Sequence, residues 1–306
     1  MSQKTKGDGG TVFTSIKRVM SEYVIVYAVI LLIVVLSFAA PAFLSMNNLM
    51  NVLRQTSMIA IIAVGMFFIL VGGGIDISLG SLVGLTGIVF SAGIVKLGWS
   101  PLLAGIIALF VGAIAGSLTG TTVTYLGIPP FIATLGMQSV ARGLTYVLTN
   151  AYPIPGLPES IAFIGRGYLS YWEGIQAGIP WPVVIMIVVY LVAHFVSQKT
   201  KFGRFVYAAG GNSEAAYLSG IKVKKVLTIT YILGGFLAAL SGIILVSRLA
   251  SGQPNAGIGW EFEAIIAAVI GGVSITGGKG KVLGVLFGAI LIGLLTNGMT
   301  LLNVSS

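Results

Sequence analysis

The sequence contains no cysteine and one histidine, and only 8% of its residues are charged. Without cysteine there is no disulfide framework, no thiolate metal site and no cysteine nucleophile. A single histidine excludes the paired-histidine spacing of metalloproteases. That histidine, His194, sits near the end of an apolar stretch and reads as structural. No Gly-x-Ser-x-Gly elbow stands out, and a lone histidine completes no triad. Soluble domains carry about 25% charged residues. A chain with 8% charged and 56% hydrophobic residues cannot cover a water-facing surface, so a soluble globular protein is excluded. A nucleotide-binding P-loop is missing too. Gly278-Lys279 comes closest, but Val273 stands where the first glycine belongs and Gly280 replaces the hydroxyl residue.

What the chain does have is apolar length and glycine. Its 43 glycines are about twice the usual share of roughly 7%, which suits closely packed membrane helices. Apolar stretches cover residues 24–44, 52–71, 82–97, 102–124, 131–148, 182–197, 226–247, 262–275 and 282–302. Most approach the roughly 20 residues that cross a hydrocarbon core of about 30 Å. The expected fold is therefore all-α and polytopic, with about nine transmembrane helices. The stretches near 62–76 and 262–275 are short or interrupted by glycine, which suggests bent or re-entrant segments. Gly112, Gly116 and Gly120 recur at four-residue steps, as for a face that meets another helix of the same chain.

The net charge of +9 marks topology. Lys4, Lys6, Lys17 and Arg18 lie in the N-terminal tail, residues 1–22. Loop 198–225 adds Lys199, Lys201, Arg204, Lys222, Lys224 and Lys225, and the turn at 277–281 adds Lys279 and Lys281. The long loop 150–181 has only Arg166, beside Glu159 and Glu173. A cytoplasmic N-terminus puts every basic region inside and loop 150–181 outside, as the positive-inside rule requires. No basic patch with stacking aromatics points to nucleic acid. The rest of the chain, 23–306, reads as a single membrane domain.

One segment echoes another. Gly73-Gly74-Ile75-Asp76-Ile77-Ser78-Leu79-Gly80 parallels Gly271-Gly272-Val273-Ser274-Ile275-Thr276-Gly277-Gly278, and Gly80–Gly84 and Gly280–Gly284 follow in turn. The expectation is two related halves with glycine-broken helices, repeated in parallel. Broken helices at membrane depth free backbone groups that only a buried or water-lined site tolerates, and in transporters they mark the pathway. Asp76 either caps the next span together with Ser78 or serves the pathway. Arg142, inside span 131–148, either lines an aqueous route, pairs with an acid or snorkels.

Loop 198–225 holds the most specific signal. Asn212 or Ser213 offers a helix cap, Glu214, Ala215 and Ala216 suit a first turn, and Gly220 ends it. The result is a short exposed helix with small side chains, open to another protein's groove. Glu214-Ala215-Ala216 with Gly220 resembles the coupling motif of ABC-importer permeases. Together with Gly-Gly-Ile-Asp-Ile-Ser-Leu-Gly (73–80) and Pro-Pro-Phe-Ile-Ala-Thr-Leu-Gly (129–136), the chain resembles the monosaccharide branch of that family, most of all its ribose permeases. The resemblance runs from about residue 24 to the end and rests on the joint motif set.

It implies a multi-pass subunit of a bacterial or archaeal cytoplasmic membrane that imports a monosaccharide. Its partners would be a second permease copy in a homodimer, a cytoplasmic ABC ATPase that binds ATP and Mg, an extracytoplasmic sugar-binding protein and membrane lipid. The chain itself would be no enzyme and hold no cofactor or metal. Gly211, Asn212, Glu214, Ala215, Ala216 and Gly220 would couple it to the ATPase. Gly73, Gly74, Asp76, Ser78, Gly80, Phe131, Thr134, Gly271, Gly272, Ser274 and Thr276 would line the pathway. The family has ten spans, one more than counted here, so either the product ends after nine or a tenth span is missing from this sequence. Ion- or proton-coupled transport or a channel is the competing reading, as is an ABC permease for another small solute: xylose, allose, galactose, inositol, a furanosyl signal or a branched-chain amino acid.

Overall fold

A computed structural model describes residues 9–172 and 177–304, with side chains described for 24–169 and 178–304. The helices are α1 (Gly9–Ala39), α2 (Met46–Val71), α3 (Leu79–Val95), α4 (Pro101–Thr124), α5 (Pro130–Thr149), α6 (Glu159–Arg166), α7 (Trp181–Lys199), α8 (Lys201–Gly211), α9 (Ser213–Leu218), α10 (Val223–Leu249), α11 (Trp260–Ile270) and α12 (Val282–Leu301). A small antiparallel hairpin, β1 (Tyr168–Trp172) and β2 (Ala177–Pro180), sits between α6 and α7. The protein is an all-α polytopic membrane protein, and each expected apolar stretch contains a helix. Among the described residues, five helices (α2, α4, α7, α10 and α12) are long and apolar enough to cross a membrane. The chain order α1 to α12 keeps the expected basic loop 198–225 as α8 and α9, and loop 150–181 as α6 and the hairpin. α1 starts at Gly9, inside the expected tail, whose residues 1–8 lie outside the described residues.

Helix starts follow from local chemistry. Ser45 Oγ accepts from Asn48 N to cap α2, and Ser100 Oγ accepts from Leu103 N at 3.3 Å ahead of Pro101 in α4. A proline in the first turn loses no hydrogen bond, because those N–H groups have no helical partner.

Packing is set by small residues. In α2, 83% of the most apolar stretch is buried, against 22% in α7, so α2 is central and α7 peripheral. α10 runs along α4, α2 and α3. Methyl groups at Gly112, Gly116 or Gly120 would strike the backbone of α10 at Gly235, Tyr231 and Thr228. The glycine face of α4 is thus an intramolecular contact, as expected, and lets the two backbones approach closely. Thr124 and Thr228 hydroxyls close the seam at 2.8 Å. Ser241 Oγ of α10 and Tyr190 Oη of α7 each donate to α2 carbonyls, Met58 O and Ala60 O, at 3.1 Å.

Of the two spans expected to be short or broken, the first is a long continuous helix and only the second is discontinuous. α2 is unbroken through Gly65 and stops at Gly72, so the interruption expected at 62–76 begins later than its glycine content suggests. The segment 250–259 has no helix; it passes Ser91 at Gly252, Gly84 at Ala256 and Gly80 at Gly257, running beside α3 toward its start. From Ser91 to Gly80 that descent is about 16 Å, and the 11 residues of α11 add about 16 Å more. Half turns and half helix, the segment covers about one hydrocarbon thickness. The span expected at 262–275 therefore runs over 250–270.

Candidate functional site

The two echoed segments end helices in the same way. At the end of α2, Gly74 N donates to Ile69 O at 2.9 Å and Gly73 N to Leu70 O at 2.8 Å, with Gly73 at φ +83°. At the end of α11, Val273 N donates to Ala268 O at 3.0 Å and Gly272 N to Val269 O at 2.9 Å, with Gly272 at φ +88°. This is the Schellman stop, which needs a left-handed residue that glycine adopts without strain. The echo is a structural repeat of the turn, but Gly73 matches Gly272. The alignment read from sequence is one residue out, because the first copy carries an extra glycine.

After the stop the copies diverge. In the first, the chain passes Asp76 and enters α3. Asp76 is fully buried, and its Oδ1 accepts from Ser78 N at 2.8 Å and Ser78 Oγ at 2.6 Å. It thus shapes the turn that leads to Ser78, the residue before α3, but caps no N–H group of the helix itself, so the expected cap is a turn instead. Its Oδ2 has no hydrogen-bond partner among the described residues. In the second copy the chain makes a turn before α12, with Ser274 N donating to Lys279 O at 3.0 Å. Ser274 and Thr276 hydroxyls bond each other at 2.8 Å at the surface, away from a buried role like that of Asp76.

The copies meet at the basic end of the bundle, and α8 locks them together. Gly278 N donates to Val71 O at 2.8 Å, and Gly277 approaches Gly73 so closely that an added methyl carbon would lie 3.0 Å from its Cα. Gly210 of α8 lies against Val71 O, where a side chain has no room. Tyr207 Oη, from the previous turn of α8, donates to Gly280 O at 2.8 Å. Burial raises the Tyr207 pKa above the usual phenol value, which keeps the proton that this bond needs. Sequence reasoning missed Tyr207 and Gly210, and it read Gly277 and Gly278 only as part of the echo; the paired glycines at 210–211 and 277–278 were the signal of the contact.

From this junction the chain leads straight into α9. Asn212 Oδ1 caps it by accepting from Ala215 N at 2.9 Å. Gly220, at φ +83°, closes it with Ile221 N donating to Ala216 O at 3.1 Å. Ala216 is buried, Glu214 and Ala215 face outward, and Tyr217 and Leu218 are 71% and 79% exposed. The helix offers a small polar and apolar face on a rigid mount.

A second polar group lies deeper, where α3, α5 and α11 converge. Glu261, in the first turn of α11, is 3% exposed. Gln138 Nε2 donates to its Oε1 at 3.3 Å, and Oε2 has no partner among the described residues. Gly80 makes room for that oxygen and for Gly257 O. Arg142 Nη1 donates to Pro254 O and Ala256 O, both at 2.9 Å, so the arginine clamps the segment of turns beside α3. Thr134, one turn before Gln138, is buried and its hydroxyl returns to Phe131 O at 3.3 Å, while Phe131 itself is exposed. Sequence reasoning missed Gln138 and Glu261, because Glu261 falls just outside the apolar stretch.

Comparison with known proteins agrees with this architecture. A family model described as branched-chain amino acid transport system / permease component matches residues 48–305. The ribose import permease protein RbsC of Escherichia coli (strain K12) is 47% identical over 281 residues, covering 91% of this chain and 86% of that protein. RbsC of Bacillus subtilis (strain 168) is 42% identical over 90% of this chain and 84% of its own length. The xylose transport system permease protein XylH of Haemophilus influenzae is 36% identical over 93% of this chain and 91% of that protein. No solved structure matches. Membrane helices, paired glycine stops, capped surface helix and these relatives together place the chain in the family of branched-chain amino acid transport system permease components, to which it belongs.

Proposed function

We propose that this chain is the membrane permease of an ATP-driven importer for a monosaccharide, with ribose first among the candidates and xylose and allose next. The observation that carries the mechanism is the junction of α8 with both glycine stops. A partner that grips α9 pulls on Val71 through Gly210 and on the turn at 277–280 through Gly210 and Tyr207. One displacement thereby reaches the ends of α2 and α11 together. Packed elements of this kind switch between discrete arrangements, here between openings to the two sides of the membrane.

The partner is a cytoplasmic ABC ATPase, which supplies ATP and Mg and with them the driving free energy; this chain has no P-loop of its own. Two permease copies pair around the pathway. At the opposite end, Arg54 Nη2 donates to Arg166 O at 3.0 Å and Arg166 Nε to Arg248 O at 2.5 Å. This cluster of guanidinium groups suits acidic side chains of an extracytoplasmic binding protein.

Proteoliposomes holding the chain with its ATPase and binding protein test the proposal. Ribose accumulation that needs ATP supports it; accumulation without ATP refutes it. One observation favours a second reading, in which a proton or ion drives transport: Asp76 and Glu261 each bury a carboxylate oxygen without a hydrogen-bond partner. That reading requires uptake that follows an imposed ion gradient with no ATPase present.

A further inference from the structure

We propose that Gln138, Arg142 and Glu261 form a recognition site for a neutral polyhydroxylated solute within the membrane. The inference deepens the transport reading and rests on it.

A buried carboxylate oxygen without a partner is costly, and here the cost sits at a special place. The first turns of α3 and α11, each preceded by a non-helical segment, meet at Gly80 and Glu261. Substrate sites of transporters lie at such breaks, near the middle of the bilayer. The groups gathered there are complementary to vicinal hydroxyls. Each hydroxyl both donates and accepts. Glu261 supplies acceptors, the Gln138 amide supplies both kinds, and Arg142 supplies a planar fork of donors. Arg142 offsets one of the two carboxylates there, Glu261 and the half-buried Glu263, whose Oε2 also has no partner among the described residues, so the site disfavours an anion. Gln138 and Arg142 are half-buried, so a modest opening between α5 and α11 exposes all three groups at once. In the closed arrangement the loop carbonyls of Pro254 and Ala256 occupy Arg142 Nη1 in place of a solute.

Trp260 adjoins Glu261 and reports on the site. The purified full chain is titrated with ribose and with ribose 5-phosphate while tryptophan fluorescence is followed. The site predicts a saturable change with ribose that the Trp260→Phe variant lacks, weaker binding by about tenfold in Glu261→Gln and Gln138→Leu, and little response to the charged analogue. Identical titrations for Glu261→Gln and the parent chain overturn the site, as does a parent chain without response. Uptake in proteoliposomes separates the two proposals. ATP-driven ribose uptake without any fluorescence change refutes the site alone. A ribose-dependent change lost in Glu261→Gln, in a chain that shows no ATP-driven uptake, supports the site and refutes the importer. Thermal unfolding of each variant identifies loss of folding, and Arg142→Lys, which keeps the charge and loses the fork, provides a second readout: a purely structural clamp leaves its ribose affinity unchanged, which overturns the assignment.

Discussion

Replacing Gly210 with alanine puts a methyl carbon 2.9 Å from both the Gly278 nitrogen and the Val71 carbonyl carbon, and closer still to the Val71 oxygen. No backbone group there is a flexible side-chain end, so α8 must move away. Overpacking of this kind costs about 1–3 kcal/mol. The move also draws Tyr207 Oη away from Gly280 O, a hydrogen bond worth about 0.5–1.5 kcal/mol. Together these reach about 2–4 kcal/mol, which lowers the population of the joined arrangement by about thirtyfold to a thousandfold. The neighbouring Gly211 is the internal control. Its added methyl carbon meets only Gly278 Cα, at 3.9 Å, an ordinary contact. The assay is sugar uptake and ATP hydrolysis measured in the same proteoliposomes. Gly210→Ala is expected to hydrolyse ATP while importing little sugar, and Gly211→Ala, which adds no clash at the junction, to shift the ratio of sugar to ATP far less. A parent ratio in Gly210→Ala refutes the junction as the transmitting element.

Other substitutions probe other links. Gly116→Val drives a side chain into Tyr231 of α10 and is expected to lower stability by about 1–3 kcal/mol, read by thermal unfolding in detergent. Asn212→Ala removes the α9 cap at a cost of about 0.5–2 kcal/mol, and ATPase co-purification should fall while the unfolding temperature of the bundle stays put. Leu218→Glu charges an exposed apolar position and should abolish ATPase binding in a pull-down without affecting membrane insertion.

How much of this was legible in the residues depends on how local the cause was. The cap at Asn212 and the stop at Gly220 are set by a side chain and a φ value within one short helix, so the order of residues reveals them. The small face Gly112, Gly116, Gly120 was legible for a related reason: in a helix that is apolar all round, periodicity of size replaces periodicity of polarity. Backbone contacts between distant segments leave no such trace. Gly210 against Val71 looks like any other glycine until the chain is folded. Segment 250–259 lacks a hydrophobic run because it is a series of turns beside α3, clamped by Arg142, rather than a helix. That is why the span was placed too far along and Glu261 was left out. The one-residue offset between the echoed segments has a similar origin, since only the φ angles tell which glycine of a run makes the left-handed turn.

The central claim is that α9 and the glycine turn at 272–281 move as one body under the pull of the ATPase. The absence of cysteine makes site-directed spin labelling direct. Labels at Ser219, Ile275 and Leu97, all at exposed positions, allow pairwise distances to be measured in the assembled transporter with and without ATP. The account predicts a constant Ser219–Ile275 distance while both distances to Leu97 change. A Ser219–Ile275 distance that shifts with nucleotide as much as the other two contradicts it.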